Sequence, residues 1–222
     1  MVAEERLASI REQIDIAARE AGRDPSDVTL IGAAKYTETL VVESFVKAGL
    51  SHIAENYVQN ANRWKNHELR NKIHLHMIGH LQGNKVKPAL KSFDSIDTVD
   101  SIKLANRIDH LAESDVAVMI EVNISEEDSK HGCPVAKFPQ LVDHIITLNH
   151  IRLNGVFTMC PIDATGKTRK NIYNQAEMLA SGLEQRLGRS MDRSYGMSDD
   201  YKLAIECKAT QIRLGRALFG GV

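Results

Sequence analysis

The 222-residue sequence predicts an α/β protein: a single (β/α)₈ TIM barrel with an extra N-terminal helix, spanning 1–222 as one domain. Three observations carry this. Short apolar runs alternate with helical periodicity along the chain, the runs number eight, and no linker, low-complexity tract or internal repeat interrupts them. Strict alternation requires parallel pairing through right-handed crossovers, which leaves an open doubly wound sheet or a closed barrel. Eight strands in so short a chain favour closure with short loops, since about 250 residues is typical of this barrel.

The elements justify themselves in order. Leu7, Ile10, Ile14, Ala17, Ala18 and Ala21 recur at three- and four-residue steps, with Gly22 as a stop and Pro25 beyond, so residues 3–21 read as an amphipathic leading helix. VTLIGAA at 28–34 is a short apolar run ended by Lys35, the pattern of a strand buried on both faces. A helical stretch at 39–48 stops at Gly49, a short strand at 52–54 follows, and a helix is expected around 57–64. Further strands are expected at 72–79, 93–100, 116–124, 152–159, weakly near 194–196, and at 211–219. Helices at 102–112, 138–148, 172–187 and 201–207 separate them.

Composition narrows the function. Twenty-eight basic against 29 acidic side chains leave a net charge of −1, so no overall field recruits nucleic acid or an anionic membrane, and a small ligand is the first expectation. Cys133, Cys160 and Cys207 are odd in number and far apart, which argues against a disulfide framework or a thiolate zinc site and for a reducing compartment. The first residues carry charges from position 4 onward and lack a signal peptide's apolar stretch, so a soluble, cytoplasmic protein is expected.

In a parallel barrel the chemistry sits where strands end. Lys35 ends the first strand, Glu55 and Asn56 the second, His76 with Gly79 the third, Asn123 the fifth, Met159 the sixth and Ser198 the seventh, while Arg213 lies inside the eighth. A strand-end lysine is ordinarily a snorkelling charge; apolar walls or a neighbouring cation would instead make its amine available to condense with an aldehyde. GMSDD at 196–200 offers a glycine for close backbone approach and Ser198 as a helix cap, an arrangement that binds phosphate or merely starts a helix. Asp199 and Asp200 are expected to point away from any phosphate. Arg213 in an apolar strand needs an acceptor, for which a buried carboxylate is the ordinary candidate.

Three further features are set aside. His74, His76 and His80 resemble a metal cluster but have no carboxylate at a matching spacing, so no metal is expected. GHLQGNK at 79–85 fails the phosphate-loop pattern in its spacing and in the Asn before Lys. Arg63, Trp64 and Lys65 read as one helix's surface and rim.

AAKYTE at 33–38, AENYVQN at 54–60, HMIGHLQGNK at 76–85, DTVDS at 97–101, EVNISEEDSKHG at 121–132, GMSDD at 196–200 and RLGRALFG at 213–220 together closely resemble the pyridoxal phosphate homeostasis proteins, almost end to end. The resemblance implies a cytosolic, monomeric barrel similar to the N-terminal barrel of bacterial alanine racemase, with pyridoxal 5'-phosphate as cofactor. It further implies Lys35 as the Schiff-base lysine, a phosphate cradle of Ser198 and the backbone of Gly215 and Arg216, and Arg213 facing the pyridine nitrogen. Asn56, His76, Met159 and Met197 match positions around the ring and pocket rim. The chain departs from the family pattern at Ala34, Glu38, His80 (usually proline), Lys208 (usually glycine) and Arg216 (often threonine).

An arginine cannot accept a proton at the ring nitrogen, which weakens the cofactor as an electron sink and favours carriage over turnover. Racemisation would need a further base, for which Tyr36 or His76 is the candidate. The expected role is reversible storage and delivery of the cofactor, with recipient apo-enzymes as possible partners. A pyridoxal-phosphate enzyme such as a weak racemase is the alternative, and a metal-dependent hydrolase using the histidines is a remoter one.

Overall fold

Eight parallel strands close on themselves in a computed structural model that describes residues 2–35, 37–127 and 131–220. The strands are β1 (Thr29–Ala33), β2 (His52–Glu55), β3 (His74–Met77), β4 (Ser95–Val99), β5 (Val116–Asn123), β6 (Ile151–Phe157), β7 (Asp192–Ser194) and β8 (Gln211–Leu214). They run in the order β4-β3-β2-β1-β8-β7-β6-β5, and pairing of β4 with β5 completes the barrel. A two-residue segment, Cys133–Pro134, adds to the end of β5.

Helices α1 (Ala3–Glu20), α2 (Thr39–Lys47), α3 (Val86–Leu90), α4 (Ile102–Leu111), α5 (Phe138–Ile145), α6 (Gly166–Leu187), α7 (Tyr201–Glu206) and α8 (Arg216–Phe219) lie outside. The expected leading helix is α1. It buries Leu7, Ile10, Ile14, Ala17 and Ala18 against α2, α7 and α8, with each fully buried Leu or Ile contributing roughly 1.5–3 kcal/mol. Arg6, partly buried on the same helix, donates to the carbonyl of Ala217, at 3.1 Å from Nε and 2.9 Å from Nη2.

The core has two parts, as strand alternation requires. Ile31, Ala54, Ile78, Met119 and Phe157 fill the barrel interior, while a larger cluster joins the barrel's outer face to the helices. Cys133, Cys160 and Cys207 form no disulfide and are buried in that outer cluster. No helix of the described residues is long and apolar enough to cross a membrane.

Several boundaries differ from expectation for local reasons. The apolar run at 211–219 is a strand only to Leu214, because the chain turns at Gly215 and Arg216–Phe219 is helical. The stretch at 57–64 is a 3₁₀ helix, Val58–Trp64, whose Trp64 is completely buried rather than a surface residue. Helix α6 begins at Gly166, ahead of the apolar stripe, because Thr165 caps it through the Thr168 N–H at 3.2 Å. Lys208 occupies the left-handed region, φ +68°, just past α7, where a glycine would be unstrained.

Candidate functional site

Strand order gathers most of the expected site residues on one arc of the barrel mouth. β6, β7, β8, β1 and β2 are successive neighbours. Just beyond their C-terminal ends stand, in that order, Met159, then Met197 with Ser198, then Gly215 with Arg216, then Lys35, then Asn56. Met159 is exposed on the rim; Met197, Ser198, Gly215 and Asn56 are partly buried.

Lys35 is exposed, two residues past β1, on a turn that a buried ion pair holds. Arg63 donates from Nη2 to the carbonyl of Ala34 at 2.9 Å and from Nη1 to that of Thr37 at 2.7 Å, so one guanidinium grips both sides of the lysine. The same guanidinium meets Glu55 at the end of β2, through Nε at 2.8 Å and also through Nη2. Glu55 is fully buried, and Asn60 Nδ2 donates to its other oxygen at 3.3 Å. Arg63 is therefore a scaffold of the site and not part of a surface rim. A carboxylate ending an apolar strand was the signal that a cation must come to it. Tyr36 lies outside the described residues.

The turn after β7 is built around Gly196, whose φ of +97° and packing against Ala204, where a β-carbon would come within 2.5 Å, leave no room for a side chain. Asp200 is buried and closes the turn by accepting from the Met197 N–H at 2.6 Å; its other oxygen faces Arg169 at 3.6 Å. Asp199 instead reaches outward to Arg216, 2.5 Å away, with both side chains largely exposed. Arg216 thus offers the site its backbone only. Ser198 Oγ accepts from the Ala217 N–H at 3.1 Å, fastening this turn to the start of α8 and leaving the hydroxyl proton to donate.

Arg213 points into the barrel, where it is 3% exposed. Its guanidinium lies 3.9 Å from the Phe157 ring centroid and donates to Ser194 Oγ at 2.8 Å and the Thr158 carbonyl at 2.9 Å. Among the described residues no carboxylate is within ion-pairing distance, contrary to the ordinary expectation. Burial, partly offset by the fields of Tyr173, Asp97, Glu121 and Asp200, lowers its pKa to about 10, so it stays a cation at neutral pH. Glu121, two residues beyond the interior Met119 on β5, faces the same interior. Burial and then the charge of Asp100, opposed by Arg213, push it up to about 7. Sequence reading missed this carboxylate because it sits inside an apolar run rather than at its end.

His76, expected around the ring and pocket rim, does not join the arc. It lines a cavity of about 150 Å³ with His52, His74, Ser95, Asp97, Asp192 and Gln211; His52, His74, Ser95, Asp192 and Gln211 are the first residues of their strands, so the cavity lies toward the end of the barrel opposite the arc, with His76 and Asp97 at mid-strand. His76 Nδ1 lies 2.8 Å from Asp97 Oδ2 and its Nε2 3.0 Å from His52 Nδ1, while Ser95 Oγ donates to Asp97 Oδ1 at 2.7 Å. Burial, then the charges of His76 and His74, lowers His52 to about 4. Burial alone would raise Asp97, but the imidazole of His76, hydrogen bonds from His76 and Ser95, and Arg213 hold it below the ordinary carboxylate range. Both nitrogens of His76 are thereby engaged, which removes it as a base toward the mouth. His80, three residues beyond β3, stands with Asp100, whereas His74 and His76 pack against each other and His52, so the three histidines do not act as one cluster.

A closed parallel barrel with a strand-end lysine, a turn that Ser198 fastens to α8 and a buried arginine defines a class, and the chain's sequence agrees with it. Residues 6–222 match the family model described as alanine racemase, N-terminal domain, and the chain belongs to that family. Within it, the chain is similar along nearly its whole length to proteins named pyridoxal phosphate homeostasis protein. It is 31% identical over 220 residues to that of Escherichia coli, covering 96% of this chain and 94% of the relative. It is 34% identical over 220 residues to that of Pseudomonas aeruginosa, covering 97% and 94%. Among solved structures, PipY of Synechococcus elongatus with PLP bound is 30% identical with a TM-score of 0.85, covering 98% of this chain and 100% of that one. Alanine racemase of Clostridium difficile shares the fold at 14% identity and a TM-score of 0.73, this chain covering 56% of it.

Proposed function

We propose that this protein carries pyridoxal 5'-phosphate as a Schiff base on Lys35 and takes part in intracellular vitamin B6 homeostasis, as a cytoplasmic monomer that performs little turnover. The observation that carries the reading is the placement of an amine and an anion cradle on adjoining strands: Lys35 after β1, and Gly215 with the Ser198-fastened start of α8 after β8. The names of its relatives and the PLP-bound PipY structure support the choice of cofactor.

The residues present fit that group. Asn56 Oδ1 is buried at the arc without a hydrogen-bond partner, so a donor from a ligand would relieve its cost. Arg213 is a desolvated cation with only neutral acceptors. Ser198 and the backbone of Gly215 and Arg216 would hold the phosphate, Arg213 the ring nitrogen, and Asn56, Met159 and Met197 the ring and rim. When bound, the cofactor supplies an aldehyde for condensation and an electron-withdrawing ring. The chain's part is to present the Lys35 amine on the turn that Arg63 fixes. It also keeps a non-acidic guanidinium at the ring, which disfavours deep carbanion chemistry.

Borohydride reduction followed by digestion and mass spectrometry tests this. The expected result is a pyridoxyl-phosphate mass on the peptide containing Lys35. An adduct on another lysine, or none in protein incubated with the cofactor, rejects the assignment.

One observation favours a second reading, a cofactor-dependent enzyme such as a weak racemase. Glu121, poised near 7, can hold or release a proton inside the barrel near neutral pH. Under the carriage reading, a panel of amino acids incubated with the loaded protein in deuterium oxide shows no exchange at the α-carbon. Exchange that disappears in Glu121→Gln would establish the enzyme instead.

A further inference from the structure

Beside the cofactor arc, the barrel mouth carries a second convergence of ligating groups. His80 follows β3, Asp100 closes β4, and His131 precedes the Cys133–Pro134 segment that pairs with the end of β5. One ligating atom from each lies within 4.8 Å of the other two. The imidazoles of His80 and His131 stack with centroids 3.9 Å apart and planes 11° from parallel, and His80 Nδ1 stands 3.5 Å from Asp100 Oδ2.

The backbone carrying each group is anchored. Thr98 Oγ1 donates to the carbonyl of Gly79 at 2.7 Å, immediately before His80. Asp100 adjoins Ser101, whose hydroxyl caps α4 through the Leu104 N–H at 3.3 Å. Gly132, next to His131, has φ +116°, and a β-carbon there would come within 2.7 Å of the Asn123 nitrogen, so only glycine lets the chain close onto the end of β5.

We propose that His80, Asp100 and His131 form a binding site for a divalent transition-metal cation of the zinc class. Two neutral imidazole nitrogens and one carboxylate oxygen are the donor set such ions prefer, and three protein ligands leave a fourth position for water or a small ligand. The rings of His80 and His131 are exposed, so rotation about their terminal torsions turns a nitrogen of each toward Asp100 without disturbing the core. His80 stands where the resemblance leads one to expect proline, so the site belongs to this chain's own residues. Spacing within 74–80 could not reveal it, because two of its ligands arrive from other strands.

Calorimetric titration of untagged protein with zinc chloride near neutral pH tests the proposal. The expected result is one saturable site per chain, with affinity lowered about tenfold or more in His80→Ala and in His131→Ala, since losing a ligand costs at least as much as losing the groups that orient one. Both side chains are exposed, and melting curves would verify that the variants fold. Absence of a saturable site overturns the proposal. So does a site that survives both substitutions, or one lost instead in His74→Ala, which would place the cation at the opposite end of the barrel.

Discussion

Lys35→Ala is expected to abolish the visible imine absorbance of cofactor-loaded protein while leaving its thermal melting nearly unchanged. The amine is the only group of the proposed arc that can condense with an aldehyde; the arginine, serine, asparagine and methionines there cannot. Lys35 is exposed, and substitutions at exposed positions usually cost far less stability than those in the core. Lys35→Arg sharpens the test by keeping the positive charge on the turn and removing the condensing amine. If the lysine acted only as a cation toward the phosphate, the arginine variant would retain the spectrum of the parent. The expected result is that both variants are colourless and still bind the cofactor weakly and reversibly through the phosphate cradle. An imine band of full intensity in either variant would transfer the assignment to another amine.

The sequence made the architecture legible because burial on both faces and helical stripes are local patterns. Val28–Ala34 and the α1 stripe could be read directly, and the arc of strand ends followed once the strands were counted in order. What it hid depends on direction along a strand or on distance across the barrel. His76 looked like a mouth residue because HMIG reads as one continuous strand end, yet its ring hydrogen-bonds to Asp97 in the middle of β4 and to His52 at the start of β2. Arg216 could have turned either way; its pairing with Asp199 is a contact between two loops that no local pattern encodes. Glu121 gave no signal because a carboxyl inside an apolar run reads as an interruption, whereas its burial near Arg213 is a property of the closed barrel.

Arg63 is the most consequential residue that periodicity misread, and its removal is expected to be costly. In Arg63→Ala, the carboxylate of Glu55, fully buried in the parent, keeps only the 3.3 Å contact from Asn60, while the carbonyls of Ala34 and Thr37 lose their donor. Breaking one partner out of a buried pair typically costs about 3–5 kcal/mol, because an uncompensated charge remains. For a chain of this size that lowers the melting temperature by on the order of ten degrees. Arg63→Lys should recover little, since a single ammonium cannot span a carboxylate and two carbonyls as a planar guanidinium does. The double variant Arg63→Ala/Glu55→Gln separates the two contributions. If the stranded carboxylate dominates, the double variant melts well above Arg63→Ala; if the freed turn dominates, the two melt alike. In either case the turn bearing Lys35 loses its two carbonyl anchors, so cofactor retention should fall even at temperatures where the barrel is intact. A loss below about 1 kcal/mol in Arg63→Ala, with cofactor retention unchanged, would show that the grip of Arg63 on this turn holds nothing in place.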